Sequence, residues 1–74
     1  MNHNFYYLVD QNLEEARSLH PGYMPSLHHG YGVLKEEFDE FWDEVRKKYP
    51  DKERLRAELL QISAVAQRIY EDLL

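Results

Sequence analysis

The chain has 74 residues, no cysteine, and 14 acidic against 9 basic side chains, for a net charge of −5. That length leaves room for one domain, 1–74, and the missing cysteines exclude disulfides, thiolate zinc sites and cysteine nucleophiles. The acidic balance argues against nucleic acid or an anionic membrane as partner and leaves a metal, a metal-bound anion or self-association.

A hydrophobic content of 43% with 14% aromatics is that of a foldable chain. No run approaches the roughly 20 apolar residues that span a bilayer. The stretch Met1-Asn2-His3-Asn4-Phe5-Tyr6-Tyr7 has neither the basic nor the apolar region of a signal peptide. The expectation is a cytoplasmic protein.

In chain order, the first predicted element is a short helix from about Leu8 to Leu19, capped by Asp10, with Leu13, Ala16 and Leu19 toward a core. His20-Pro21-Gly22 ends it, because proline disfavours helical geometry in the residue before it. Residues 1–25 thus form an N-terminal helix and loop. A second helix is expected from Ser26, a good N-cap, to Tyr49, or from just beyond Gly30 and Gly32 if these weaken its first turns. Leu27, Tyr31, Leu34, Phe38, Phe41 and Val45 make its apolar stripe, with Trp42 and Tyr49 beside it. Arg46, Lys47 and Lys48 suit its last turn, where cations complement the dipole. Pro50 stops it.

Asp51 then caps a third helix that runs to the chain end on Leu55, Leu59, Ile62, Ala66, Ile69 and Leu73. The connection around Tyr49-Pro50-Asp51 is so short that the two long helices must form an antiparallel hairpin, 26–74. The fold class is all-α. Two long helices carry more apolar surface than a hairpin covers, so the hairpin is expected to assemble into a multi-chain four-helix bundle.

A shift of 21 residues overlays the second helix on the third: Leu34 on Leu55, Glu37 on Glu58, Glu40 on Gln61, Tyr49 on Tyr70. Two amphipathic helices can align this way by coincidence. The polar pairs carry more information. Glu37 and Glu40 sit one turn apart at the border of their stripe, and Glu58 and Gln61 hold the same border of theirs. Glu36, Asp39 and Asp43 read as solvated acids. Three carboxylates and an amide oxygen on facing helices form an all-oxygen set of the kind Mg²⁺ or Mn²⁺ prefers. The four histidines have no metal-ligand spacing, and His28 and His29 read as surface or capping residues at a helix entrance. Phe38, Phe41 and Trp42 read as core or interface. Arg54, Arg56 and Arg68 are within reach of phosphates or simply solvated.

The run Gly32-Val33-Leu34-Lys35-Glu36-Glu37-Phe38-Asp39-Glu40-Phe41-Trp42, followed by Glu58-Leu59-Leu60-Gln61, resembles the all-α nucleoside triphosphate pyrophosphohydrolase superfamily, the MazG-like proteins. Their signature is E-E-x-x-E, a spacer, then E-x-x-D on the next helix. The resemblance covers roughly residues 28–70. It implies Mg²⁺-dependent cleavage of a nucleoside triphosphate to the monophosphate and pyrophosphate, dimers or tetramers with bundled helices, and Glu37, Glu40, Glu58 and Gln61 as the metal set, with Glu37 and Glu40 also catalytic. Gln61 departs from the family's aspartate: it offers a carbonyl oxygen but no charge. The competing expectation is a catalytically silent helical interaction module, its acids serving solubility and its aromatics assembly.

Overall fold

The computed structural model describes residues 3–74; Met1 and Asn2, on which part of the signal-peptide expectation rests, lie outside the described residues. It holds three helices and, among the described residues, no strand: α1 His3–Leu19, α2 Leu27–Val45 and α3 Lys52–Leu73. α3 lies between the other two. It packs against α2 on one side and α1 on the other, while α1 and α2 do not pack on each other. No helix is long and apolar enough to cross a membrane.

The caps of the hairpin form as the sequence predicts. Ser26 Oγ accepts the His29 N–H at 3.0 Å, and Asp51 Oδ1 accepts the Glu53 N–H at 2.9 Å. Each satisfies a backbone donor that the first helical turn leaves free.

The helix limits differ from expectation in two places. α1 begins near His3 rather than Leu8, and Asp10 lies exposed inside it rather than capping it. Nothing between Asn4 and Asp10 breaks a helix, and Val9 and Leu13, one turn apart, are held on α3 by Ala64 and Leu60. α2 ends at Val45 rather than Tyr49, so Arg46 is its C-cap and Lys47 and Lys48 follow it. The cause is Glu44, whose side chain is 5% exposed. Its carboxylate accepts the Asp51 N–H at 2.9 Å and the Lys47 ammonium at 2.9 Å. It ties the end of α2 to the start of α3, and these donors, the backbone N–H first, hold its pKa below the usual carboxylate value.

The phase of α2 also differs. The line of residues least exposed on it is Gly30, Val33, Glu37, Phe41 and Glu44, with Leu34 beside them. Leu27, Tyr31, Phe38, Trp42 and Val45 are exposed, Tyr31 at 66% and Trp42 at 57%. The period of the stripe is helical as predicted, but its aromatic edge faces away from α3. Gly30 allows the close approach: a Cβ there would stand 2.9 Å from Ile69 Cγ1 and 3.0 Å from Cδ1. Both glycines are accommodated within α2, which starts before them.

The link from α1 to α2 is fastened by charge. Arg68, buried on α3, donates to the carbonyls of His20 (2.5 Å) and Gly22 (2.9 Å). Gly22 turns the chain at φ +96°, which a side chain would resist. One turn on, the Asp72 carboxylate accepts the Met24 N–H at 2.8 Å and pairs with Arg17 at 2.8 Å. Arg17 also reaches Glu71 at 3.0 Å. The Arg17 guanidinium holds the Asp72 carboxyl below its ordinary range. Arg68 is therefore not a phosphate-reaching surface arginine; its terminal nitrogens are turned inward to α1 and the loop, and its buried Nε has no hydrogen-bond partner.

The two helical glycines give opposite expectations. Gly30→Ala must displace Ile69 and is expected to destabilise by about 1–2 kcal/mol after the gain in helix propensity. Gly32→Ala meets open space and is expected to stabilise by about 0.5–1 kcal/mol. Urea unfolding of the two variants checks this, and equal effects would refute the close contact at Gly30.

Candidate metal centre

Glu37 lies on the face of α2 toward α3, Glu40 one turn further on, and Glu58 on the facing side of α3. Each offers a carboxylate oxygen, and these oxygens lie within 4.8 Å of one another. The fold thus brings together three of the four residues that the helical spacing singles out. Glu37 is half-buried in the helix interface rather than at the border of an apolar stripe.

Such a cluster is electrostatically unfavourable unless something offsets it. Burial, then the charges of Glu40 and Glu58, push Glu37 up to about 7 from an ordinary 4.5. Glu40 is raised as well, by desolvation first and by Glu58 next, against the lowering pull of Arg54. One oxygen of Glu58, Oε2, is shut off from solvent with no hydrogen-bond partner. A buried unpaired carboxylate oxygen is costly and calls for a proton or a cation. Carboxylates at this spacing fit a hard divalent cation, whose oxygen ligands stand at about 2.0–2.6 Å.

The fourth residue points elsewhere. Gln61 Nε2 donates to Asn12 Oδ1 on α1 at 2.8 Å. Of the arginines, Arg56 is paired with Glu53, and Arg54 Nε stands 3.8 Å from Glu44, on the side of Glu40. His28 and His29 are exposed at the entrance of α2, where only the His29 backbone takes part in capping.

A cleft of about 620 Å³ adjoins the cluster. It exists because α1 and α2 flank α3 without meeting. Gln61, Ala64, Val65 and Arg68 of α3 floor it; Asn12, Ala16 and Leu19 form one wall, and Val33 and Glu37 the other. The loop with Tyr23 and Met24 closes one end. Glu37 belongs to both the cleft and the carboxylate cluster. The sequence carries no sign of this cleft, because nothing local marks a gap between α1 and α2.

The chain matches no family model, no curated protein and no solved structure.

The raised Glu37 sets a pH dependence. Its folded pKa lies above its ordinary value, so folding takes up a proton between about 4.5 and 7, and this group's contribution to stability falls as pH rises through that window. Glu37→Gln mimics the protonated form. In cation-free buffer its melting temperature is expected to gain on that of the unsubstituted protein between about pH 5 and about pH 8. A pH-independent difference between the two melts would contradict the crowding of charge at Glu37.

Proposed function

We propose that the chain is a divalent-cation-dependent nucleoside triphosphate pyrophosphohydrolase of the MazG-like kind. The observation that supports it is the convergence of Glu37, Glu40 and Glu58 within 4.8 Å, at the mouth of a cleft sized for a small molecule. Glu37, Glu40 and Glu58 hold Mg²⁺, or Mn²⁺ in its place. The bound cation supplies Lewis acidity toward the phosphate oxygens and offsets the charge of the departing pyrophosphate. The half-buried Glu37 and the orphaned Glu58 oxygen are neutralised on binding. Glu40, the exposed member, takes the proton of the water that attacks the α-phosphorus as the α–β anhydride bond breaks. Arg54, on the Glu40 side, faces the phosphates. A cytoplasmic location goes with this reading, since that is where nucleoside triphosphates reside.

The same proposal carries self-association. Leu27, Tyr31, Phe38, Trp42 and Val45 are exposed along one side of α2, and only Val9, Leu13, Met24 and Ala64 are buried apolar residues among those described. So small a core is supplemented when the aromatic side of α2 meets a second copy in a four-helix bundle, as a dimer or tetramer. The exposed stripe also favours a second reading, a helical interaction module without turnover, in which the carboxylates bind a cation weakly or not at all.

Titration calorimetry separates the two readings. Mn²⁺ is expected to bind one site per chain, and Glu40→Ala to weaken that binding by about tenfold or more. Mg²⁺-dependent release of pyrophosphate from one of a panel of triphosphates is expected, and Glu37→Gln to abolish it. Unchanged Mn²⁺ binding in Glu40→Ala refutes the metal assignment, and the absence of turnover across the panel favours the silent module. A sedimentation mass of one chain at micromolar concentration would refute the assembly.

A further inference from the structure

We propose that the cleft between α1 and α2 seats the nucleobase of the substrate, and that Asn12 and Gln61 together read its edge. What enters the cleft rests on the triphosphate reading above; where the base goes rests on the chemistry of the cleft.

Charge decides which part of a nucleotide fits. No lysine lines the cleft, Arg68 is its one arginine, and its two histidines, His20 and His29, stand at the end closed by the loop between α1 and α2. The Arg68 terminal nitrogens donate to the carbonyls of Ala16, His20 and Gly22, which hold three of their four hydrogens, and Asp72 balances the charge. Glu15 lines the cleft as well and repels phosphate. The group that lodges there is therefore uncharged. Ala16, Leu19, Val33, Ala64 and Val65 give it apolar walls, suited to a planar ring. Glu37 joins the cleft to the carboxylate cluster, so a nucleotide whose phosphates lie at the cluster extends its base into the cleft.

One amide pair supplies the selectivity. Gln61 Nε2 donates to Asn12 Oδ1 at 2.8 Å, and Asn12 Nδ2 donates to the Leu8 carbonyl at 2.8 Å. These two bonds orient both side chains. They use one hydrogen of each amide and leave the second hydrogen of each, together with the Gln61 carbonyl oxygen. A donor beside an acceptor is what a carboxamide presents to a base edge. A held pair rejects a base of the wrong pattern, because the amides are then left unpaired in an apolar cleft. Gln61 in this role reads the base, and its lack of charge is an asset there.

The test uses the full chain. Each of the nucleoside monophosphates with adenine, guanine, cytosine or uracil is titrated in a chelator, with backbone amide shifts as readout, and Mn²⁺ binding is measured separately by water-proton relaxation. One base is expected to bind about tenfold more tightly than the others, with shifts at Ala16, Val33, Ala64 and Val65. Asn12→Ala and Gln61→Ala are expected to erase that preference and to leave Mn²⁺ affinity unchanged. Asn12→Asp, which retains an acceptor for Gln61 and removes the free donor, is expected to change which base is preferred. The proposal is overturned if no nucleotide shifts the cleft, if Asn12→Ala keeps the original preference, or if Gln61→Ala weakens Mn²⁺ by about tenfold while the preference stays. Base binding with no Mn²⁺ binding to the unsubstituted chain would sink the metal reading alone, so the two failures are told apart.

Discussion

The grip of Arg68 and Asp72 on the segment between α1 and α2 is the interaction on which the rest depends. Both lie one turn apart near the end of α3, and both reach α1 and the loop that follows it. Arg68 gathers the carbonyls of His20 and Gly22, and Asp72 holds the Met24 N–H and Arg17. Without that grip α1 would be held on α3 mainly by Val9 and Leu13 against Ala64 and Leu60. With it, α1 stands at a fixed distance from α2 and the cleft has a wall. Side chains that sequence patterning counts as solvent-facing thus do what a larger apolar core does elsewhere. A guanidinium buried among carbonyls is stable only because the neighbouring carboxylate balances its charge.

The same logic runs in reverse at the other side of α3. Glu37, Glu40 and Glu58 gather negative charge that the pull of Arg54 on Glu40 offsets only in part, so the fold concentrates an imbalance there that it avoids at Arg68. The net charge of −5 is therefore unevenly spread. Structural carboxylates such as Glu44 and Asp72 are held below their ordinary pKa by donors, whereas Glu37 is held above it. That contrast separates acids whose charge the fold satisfies from one whose charge it leaves uncompensated.

Much of the fold was legible because it is local. Ser26 and Asp51 cap the helices that follow them, and the short connection at Pro50 forces the hairpin. The phase of α2 was not legible. Counting hydrophobic residues put Tyr31 and Phe38 inside, whereas Gly30, Glu37 and Glu44 lie toward α3. A chain with more apolar sides than partners gives no local sign of which side turns inward. The length of α1 is not legible either: Asp10 has the residue type of a cap, yet nothing before it stops a helix. The carboxylates at 37, 40 and 58 were legible from spacing on two consecutive helices. Gln61 was legible only as the odd member of that set. Its bond to Asn12 spans 49 residues, and so do those of Arg68 and Asp72 over comparable distances along the chain; no helical period reports such pairings.

The staple at Glu44 has a further consequence, for the order in which the molecule comes apart. Through it the α2–α3 turn is closed by contacts seven residues apart or fewer, so the hairpin is a short-range unit that re-forms quickly after opening. Hydrogen bonds attach α1 over separations of 49 to 55 residues, and chain closure over such distances is slow. α1 also packs on α3 less extensively than α2 does, so the least costly excursion from the native state is the release of α1 as one piece, with the hairpin intact. Amide hydrogens along α1 exchange before those of α3 in that scheme. The wall of the cleft is thus also its hinged side, formed by the one helix that α2 does not touch.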